Sequence, residues 1–264
     1  MTSRVVDAPI IQAFGEQLTV PANTGNPTLF GVRERFKEVM IECAAASRIE
    51  LCPRIQQCFF YDNSQASGSQ WINLLDQNRA LTNRDFTGGT GTTLDSWATA
   101  DYLYIGCKRP FGGVAIDLTA SVNGNPSVLT AEYSKNDDTF ASTTITDGTD
   151  LAGDTLGQDG DVTIDSVPTD WDDFILSDIL SDTFAPKHKL YWLRLDVSAV
   201  LDADVEIQEI LAFDEVITQG ATSNGGLWAK ASTEYVIDIS TLVGAIGLIS
   251  QGGATTANVS WLKH

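Results

Sequence analysis

The side chains best suited to hold a ligand are aspartates in a glycine-rich segment, residues 147–161. They are Asp147, Asp150, Asp154, Asp159 and Asp161. Their carboxylates are oxygen ligands of the kind that Ca²⁺ prefers, and Ca²⁺ takes roughly six to eight such oxygens. The spacing departs from the EF-hand loop, which closes on a glutamate, and from the nonapeptide calcium repeat. We therefore interpret the segment as a solvated acidic flank, and we predict no metal site.

Residues that could catalyse a reaction are few. The chain has two histidines and contains neither a G-x-S-x-G nor an H-E-x-x-H motif. The glycine-rich residues 88–93 lack the lysine that ends a phosphate-binding loop, so they indicate a turn. Glu132, Glu206 and Glu209 could form a glycosidase pair, because such pairs are defined by separation in space; exposed carboxylates on strand faces are the simpler explanation. We predict no catalytic residue and no enzymatic activity.

Six tryptophans could supply a platform on which sugar rings stack. They are Trp71, Trp97, Trp171, Trp192, Trp228 and Trp261. Their spread over separate predicted strands favours core and subunit contacts, and a sugar platform is the alternative.

The cysteines do not have the spacing of a metal or disulfide site. Cys43, Cys52, Cys58 and Cys107 form no C-x-x-C pair, and four cysteines in 264 residues are too few for a disulfide framework. We predict buried free thiols.

The net charge of the chain limits the kinds of partner that it can bind. The formal charge is -19, from 16 basic and 35 acidic side chains, and a surface of this sign repels phosphate. No apolar run approaches the roughly 18 residues of a membrane span, and the first residues lack the apolar core of a secretory signal. We predict no nucleic-acid or membrane partner, no cofactor, and synthesis in the cytoplasm.

Apolar residues alternate with polar ones through most of the chain. Residues 113–119, 190–198 and 235–240 show this period of two, which is typical of half-buried strands. Further strands are predicted at 49–52, 58–61, 71–75, 102–105, 128–133, 162–164, 205–213 and 259–262. Clusters of Gly, Asn, Asp, Ser and Pro separate them and indicate turns. The sequence predicts an all-β fold, a jelly-roll-like antiparallel β-sandwich.

Two segments depart from this alternation. In residues 32–46 the apolar side chains have helical spacing in part, and we predict a strand from about Glu38 with or without a short helix before it. In residues 171–179 they suit one face of a short helix or an ordered loop, with Asp170 or Thr169 placed to cap it.

The predicted organisation has three parts: an N-terminal arm (1–37), the β-sandwich (38–213), and a C-terminal β extension (214–264) packed on the sandwich or on a neighbour. An extended apolar arm can add to the sheet edge of a partner. Its candidate partner-binding residues are Val5, Val6, Ile10, Ile11 and Phe14. The alternative is that the arm is simply the first strand of the sandwich.

Residues 101–117 (DYLYIGCKRPFGGVAID) resemble a recurrent segment of virion structural proteins of tailed bacteriophages. That segment continues through a strand like 128–134 (VLTAEYS), a V-P-x-D-W turn like 167–171, and a strand pair like 190–198 and 205–210. The strand pair is also similar to the closing strands of discoidin-like and carbohydrate-binding jelly-roll sandwiches. The resemblance covers the chain from about residue 95 to about residue 215.

The resemblance implies a non-enzymatic virion structural protein, most simply a head decoration or cement protein. Its expected partners are the major capsid protein and copies of itself in a homotrimer, and its expected location is the virion, after synthesis in the host cytoplasm. The alternative is a glycan- or receptor-binding module on a tail or fibre, which would show a solvent-facing aromatic pair beside a loop.

Overall fold

Antiparallel β-strands make up almost all of the computed structural model, which describes residues 11–20, 28–31, 38–74, 97–118, 121–202, 205–214, 227–238 and 243–263. The strands in these ranges are β1 (Ile11–Val20), β2 (Thr28–Gly31), β3 (Glu38–Cys43), β4 (Ser47–Pro53), β5 (Ile55–Tyr61), β6 (Trp71–Asn73), β7 (Tyr102–Cys107), β8 (Gly113–Leu118), β9 (Leu129–Lys135), β10 (Thr139–Thr143), β11 (Ile145–Asp147), β12 (Gly160–Ile164), β13 (Asp173–Ile175), β14 (Lys189–Val197), β15 (Ile207–Phe213), β16 (Leu227–Ala229), β17 (Glu234–Asp238), β18 (Val243–Ser250) and β19 (Thr255–Lys263). The helix they contain is α1 (Leu176–Ile179), and no helix in the described ranges is long and apolar enough to cross a membrane. The predicted all-β class is confirmed.

The chain folds as two compact units. The central unit is Pro53–Val216, and the terminal unit combines Met1–Cys52 with Ile217–His264. The sequence-based division placed residues 38–52 with the sandwich, whereas here β3 and β4 join the C-terminal strands. The arm and the C-terminal extension of that division fall into the same unit.

The central unit is a sandwich of two sheets. The large sheet has the order β10-β9-β14-β7-β5-β6, with β13 added beside β14, and the small sheet has the order β11-β12-β8-β15. Alternate residues of both sheets point into one core, as Leu193 and Leu195 of β14 and Val114 and Ile116 of β8 show. Burying each such side chain stabilises the fold by about 1.5–3 kcal/mol relative to exposure.

The segment predicted as a short helix or an ordered loop, residues 171–179, contains a short strand and one helical turn. Residues 173–175 form β13, and α1 is a single turn whose N-cap is Ile175, with no capping side chain. The predicted cap Asp170 instead accepts a 2.8 Å hydrogen bond from the Tyr133 hydroxyl. Trp171 is buried against Phe111, so packing in the core explains why this position is apolar although it is not helical.

The terminal unit interleaves strands from the two ends of the chain. One of its sheets has the order β1-β19-β3-β17 and the other has the order β16-β4-β18-β2. In both, every neighbouring pair joins one strand from the first 53 residues to one from the last 38. Side chains of both sheets, including Ile41, Ile49 and Trp261, share one core.

The candidate arm residues lie at the start of this unit. Val5, Val6 and Ile10 fall outside the described residues. Ile11 and Phe14 belong to β1, whose backbone pairs antiparallel with β19, with Ile11 opposite Lys263 and Phe14 opposite Trp261. The described parts of the arm, β1 and β2, are therefore strands in sheets of their own chain, and a partner-binding role for the five candidate residues remains a prediction.

Candidate functional site

The outer face of the large sheet of the central unit carries a row of aromatic side chains. We call Tyr61, Trp71, Tyr102, Tyr104 and Phe140 the aromatic row. Neighbouring rings along it have centroids 4.9 to 6.3 Å apart, and the planes of Tyr61 and Tyr102 are inclined by only 30°. Tyr104 is buried, while the other four are half-buried. The row offers ring faces and phenol hydroxyls on a rigid sheet.

Arg194 of β14 lies within the aromatic row. Its guanidinium carbon is 4.6 Å from the centroid of Tyr102 and 4.4 Å from that of Phe140. It also pairs with Glu132, the residue opposite it on β9, through a hydrogen bond of 2.6 Å from Nε to Oε2 and a second bond from Nη2. With 16% of the Arg194 side chain exposed, both the ring contacts and the ion pair are shielded from water. Burial raises the pKa of Tyr104 to about 12, so its phenol stays neutral.

Residues 174–185, which include α1, cover one part of this face. The indole Nε1 of Trp192 donates to the Phe174 carbonyl and that of Trp71 donates to Asp182, both at 2.8 Å. Trp192 also lies over Gly106, where an added Cβ would stand 2.7 Å from the indole ring. The covered part is packed like a core, and the partly open part of the face is the remaining aromatic row.

A second feature is a buried network of polar side chains in the loops at one end of the central unit. Asn123, which is 2% exposed, donates from Nδ2 to the carbonyls of Asn125 and Thr155 at 2.8 and 2.9 Å and to Ser127 Oγ at 3.1 Å. Its Oδ1 accepts from the backbone N–H groups of Asn125 and Asp202 at 3.0 and 2.9 Å. One side chain thus ties three loops together with all its hydrogen-bonding groups satisfied.

The segment considered for calcium is held by its own side chains. Asp147 accepts from the hydroxyls of Thr149 and Thr155, each at 2.6 Å, and from the Thr149 backbone N–H at 2.9 Å. Asp150 accepts from the Gly153 N–H, and Asp159 accepts from the Leu118 N–H. In the part of the chain that the structure describes, no group of three or more acidic, histidine or cysteine side chains has the arrangement of a metal site.

Two carboxylates of the small sheet have raised pKa values. Burial, with a contribution from the charge of Asp117, raises the pKa of Asp161 from 3.8 to about 6. Burial, followed by the charge of Asp159, also raises the pKa of Asp117. The folded chain therefore holds a proton on Asp161 at a pH where the unfolded chain does not.

We expect Asp161→Asn to remove part of the pH dependence of stability. Between about pH 4 and pH 6 the unfolded chain loses this proton first, so the wild-type free energy of unfolding falls as pH rises and stays lower above pH 6. Allowing for partial solvent exposure, the variant should gain about 1–2 kcal/mol over the wild type at pH 7 relative to pH 4. Urea unfolding at both values measures the difference.

The matched control is Asp138→Asn, which makes the same chemical change at an exposed turn position with φ 60°. Asparagine tolerates that backbone conformation. The control should change the free energy of unfolding by the same amount at pH 4 and at pH 7. A wild-type-like pH profile for Asp161→Asn would contradict the assignment.

The other candidate residues lie apart from one another. Glu132 lies on the large sheet paired to Arg194, whereas Glu209 lies on β15 of the small sheet opposite Asp117, so the structure does not bring these two carboxylates together. Glu206 precedes β15, where its N–H donates to the Ser121 carbonyl.

The prediction of buried free thiols is confirmed, and the core positions predicted for the tryptophans are confirmed for four of the six; their predicted subunit contacts stay a prediction. Trp97, Trp171, Trp192 and Trp261 are buried, and Trp71 is half-buried in the aromatic row; the Trp228 side chain and residues 88–93 lie outside the described part. All four cysteines are free and buried, and burial raises the pKa of the Cys58 and Cys107 thiols.

Comparison with known proteins gives no relative. No protein-family model, no curated protein and no solved structure matches the chain.

Proposed function

We propose that the chain is a non-enzymatic structural protein of a tailed-bacteriophage virion, which decorates the head and stabilises its shell. The observation that carries the proposal is that the residues resembling virion proteins, about 95 to 215, fall within one folded unit: β7 to β15 all belong to the central unit. The V-P-x-D-W turn contributes Trp171 to its core, where the centroid of the Trp171 ring is 4.9 Å from that of Phe111 and 6.1 Å from that of Tyr133. The resembling segments are parts of a single sandwich rather than scattered matches.

Such a protein acts through binding alone. A protein that binds the assembled shell, and not the separate capsid subunits, shifts the assembly equilibrium toward the shell by its binding free energy. The proposed partners are the major capsid protein and other copies of this chain in a homotrimer. Contacts made by the first ten residues, including Val5, Val6 and Ile10, would add to those of the folded units.

Quantitative mass spectrometry of intact virions tests the proposal. We expect a copy number comparable to that of the major capsid protein. Deleting residues 1–10 should lower occupancy at least about tenfold, because the apolar contacts proposed for the arm are lost while β1, which begins at Ile11, keeps its pairing with β19.

The purified deletion variant should keep the wild-type thermal midpoint, which separates loss of binding from loss of folding. A wild-type chain present at only a few copies per virion would refute the head location. Normal occupancy by the truncated chain would refute the role of the arm.

The aromatic row favours a second candidate function, a glycan- or receptor-binding module on a tail or fibre. Half-buried rings on a rigid sheet, with the Arg194 and Glu132 charges between them, suit stacking against the apolar faces of sugar rings. The same measurement separates the two functions, since a tail component is present at low copy number.

A further inference from the structure

Four large apolar side chains project from the loop end of the central unit that Asn123 ties together. We call Val122, Val128, Leu151 and Val200 the apolar tip; their exposed fractions are 40, 61, 51 and 53%. Among the described residues, three other large apolar side chains are comparably exposed: Leu51 and Val236 belong to the terminal unit, and Phe184 lies beside Gly68 of the loop 62–70. Exposed apolar side chains gathered in one place mark interaction surfaces.

The loops that carry the apolar tip are bound to each other by hydrogen bonds. The Val128 N–H donates to Ser198 Oγ at 2.9 Å, and the Ser198 N–H donates back to the Val128 carbonyl at 3.0 Å. The Ser127 N–H donates to the Gly153 carbonyl, and Asn123 accepts from the Asp202 N–H. The tip is therefore preorganised, so little side-chain and loop entropy is lost when it binds.

The surroundings of the apolar tip are uniformly acidic. The described loops at this end, residues 62–70, 97–101, 121–128, 148–159 and 198–202, contain six aspartates and no lysine or arginine. The imbalance belongs to the central unit as a whole, with 9 basic against 27 acidic side chains, or -18; the terminal unit has 7 against 8, or -1. A second central unit would bring like charges together at this surface, which opposes self-association there.

We propose that the apolar tip docks onto another protein whose surface combines an apolar patch with lysines or arginines. The apolar side chains supply the contact area, and the aspartates select a basic partner and steer it into register. The inference rests on the proposed function, in which the shell is the partner, and it adds a shell contact at this end of the central unit to the contacts proposed for the first ten residues.

The test uses purified phage particles from which this chain is absent because its gene has been deleted. The full-length chain is mixed with these particles, the particles are sedimented, and the bound chain is measured by quantitative mass spectrometry. The double variant Val128→Asp and Val200→Asp should bind at least about tenfold more weakly, because two of the four apolar side chains of the tip are lost and two negative charges are added. Raising the salt concentration from about 0.05 to about 0.5 M should weaken wild-type binding, because it screens the opposite charges.

The matched control is Val236→Asp, the same substitution at a residue of the terminal unit that is 56% exposed. It should bind within about twofold of the wild type, as expected for a residue outside the interface. The double variant should keep the wild-type thermal midpoint, because both side chains are already exposed. If it does not, Val122→Ser with Leu151→Ser tests the same surface without adding charge.

The outcomes distinguish the two proposals. Wild-type binding with a weakened double variant and weaker binding at high salt supports the apolar tip. If the double variant binds as tightly as the wild type, or if high salt does not weaken wild-type binding, the proposal for the apolar tip is wrong. The proposed function is then unaffected. A wild-type chain that neither binds these particles nor occurs in virions at high copy number overturns both.

Discussion

Replacing Asn123 with aspartate should destabilise the central unit by about 3–5 kcal/mol, the range expected for an uncompensated buried charge. The side chain is 2% exposed, and its Nδ2 donates to two carbonyls and one hydroxyl within 3.1 Å. An aspartate oxygen at that position would face the two carbonyl oxygens and, being ionised, would have no hydrogen to donate to them. The free energy of unfolding in urea measures the loss.

Asn125→Asp is the matched control, since it makes the same change two residues away at an exposed position. It should cost less than about 0.5 kcal/mol, as surface substitutions usually do. If both variants were equally stable, the network around Asn123 would not be the element that holds the three loops.

Gly160→Ala should be the second most damaging change, lowering the free energy of unfolding by about 3 kcal/mol or more. An added Cβ would overlap the Gly148 carbonyl and stand 2.8 Å from the Thr149 backbone nitrogen. Both obstacles are backbone atoms, and the Gly148 N–H is itself bonded to the Asp161 carbonyl at 2.9 Å. The strands can move apart to admit the Cβ only if this hydrogen bond breaks. The midpoint of thermal unfolding should therefore be clearly lower than that of the wild type.

Gly124→Ala provides the comparison for this variant. Its added Cβ would meet only Asp202 Oδ2, at 3.4 Å, an ordinary contact with a side chain. We expect a change within about 0.5 kcal/mol. Equal effects at the two glycines would mean that close approach at Gly160 is not what requires glycine there.

The sequence predicts individual strands well and their partners poorly. Residues 190–198 alternate because one face of β14 points into the core, and that pattern is local. Which strand lies beside which is decided by pairings between distant parts of the chain, as between β1 and β19, and the alternation of a single strand carries no information about them. The interleaved terminal unit was therefore not predictable from the pattern, although four of its eight described strands, β3, β4, β17 and β19, were.

The aromatic row escaped sequence analysis for a different reason. Phe59 to Tyr61 and Tyr102 to Tyr104 have apolar side chains on both faces of the sheet, so their pattern is a continuous run rather than an alternation. The spacing of aromatics at i and i+2 on two predicted strands was the available signal. Likewise, residues 123–126 indicate a turn, but not that the Asn123 side chain is buried as its anchor.

In the terminal unit, strands from the start of the chain pair with strands from its end, and this has a consequence during synthesis. On the ribosome, β1 to β4 emerge first, yet each of their sheet neighbours is encoded after residue 226. The central unit, made in between, can fold as soon as it is released, while the earliest strands wait with open edges for the last ones. Translation arrested before β16 should therefore leave a folded middle flanked by an unpaired leader, a species exposed to proteases and to strand exchange between nascent chains.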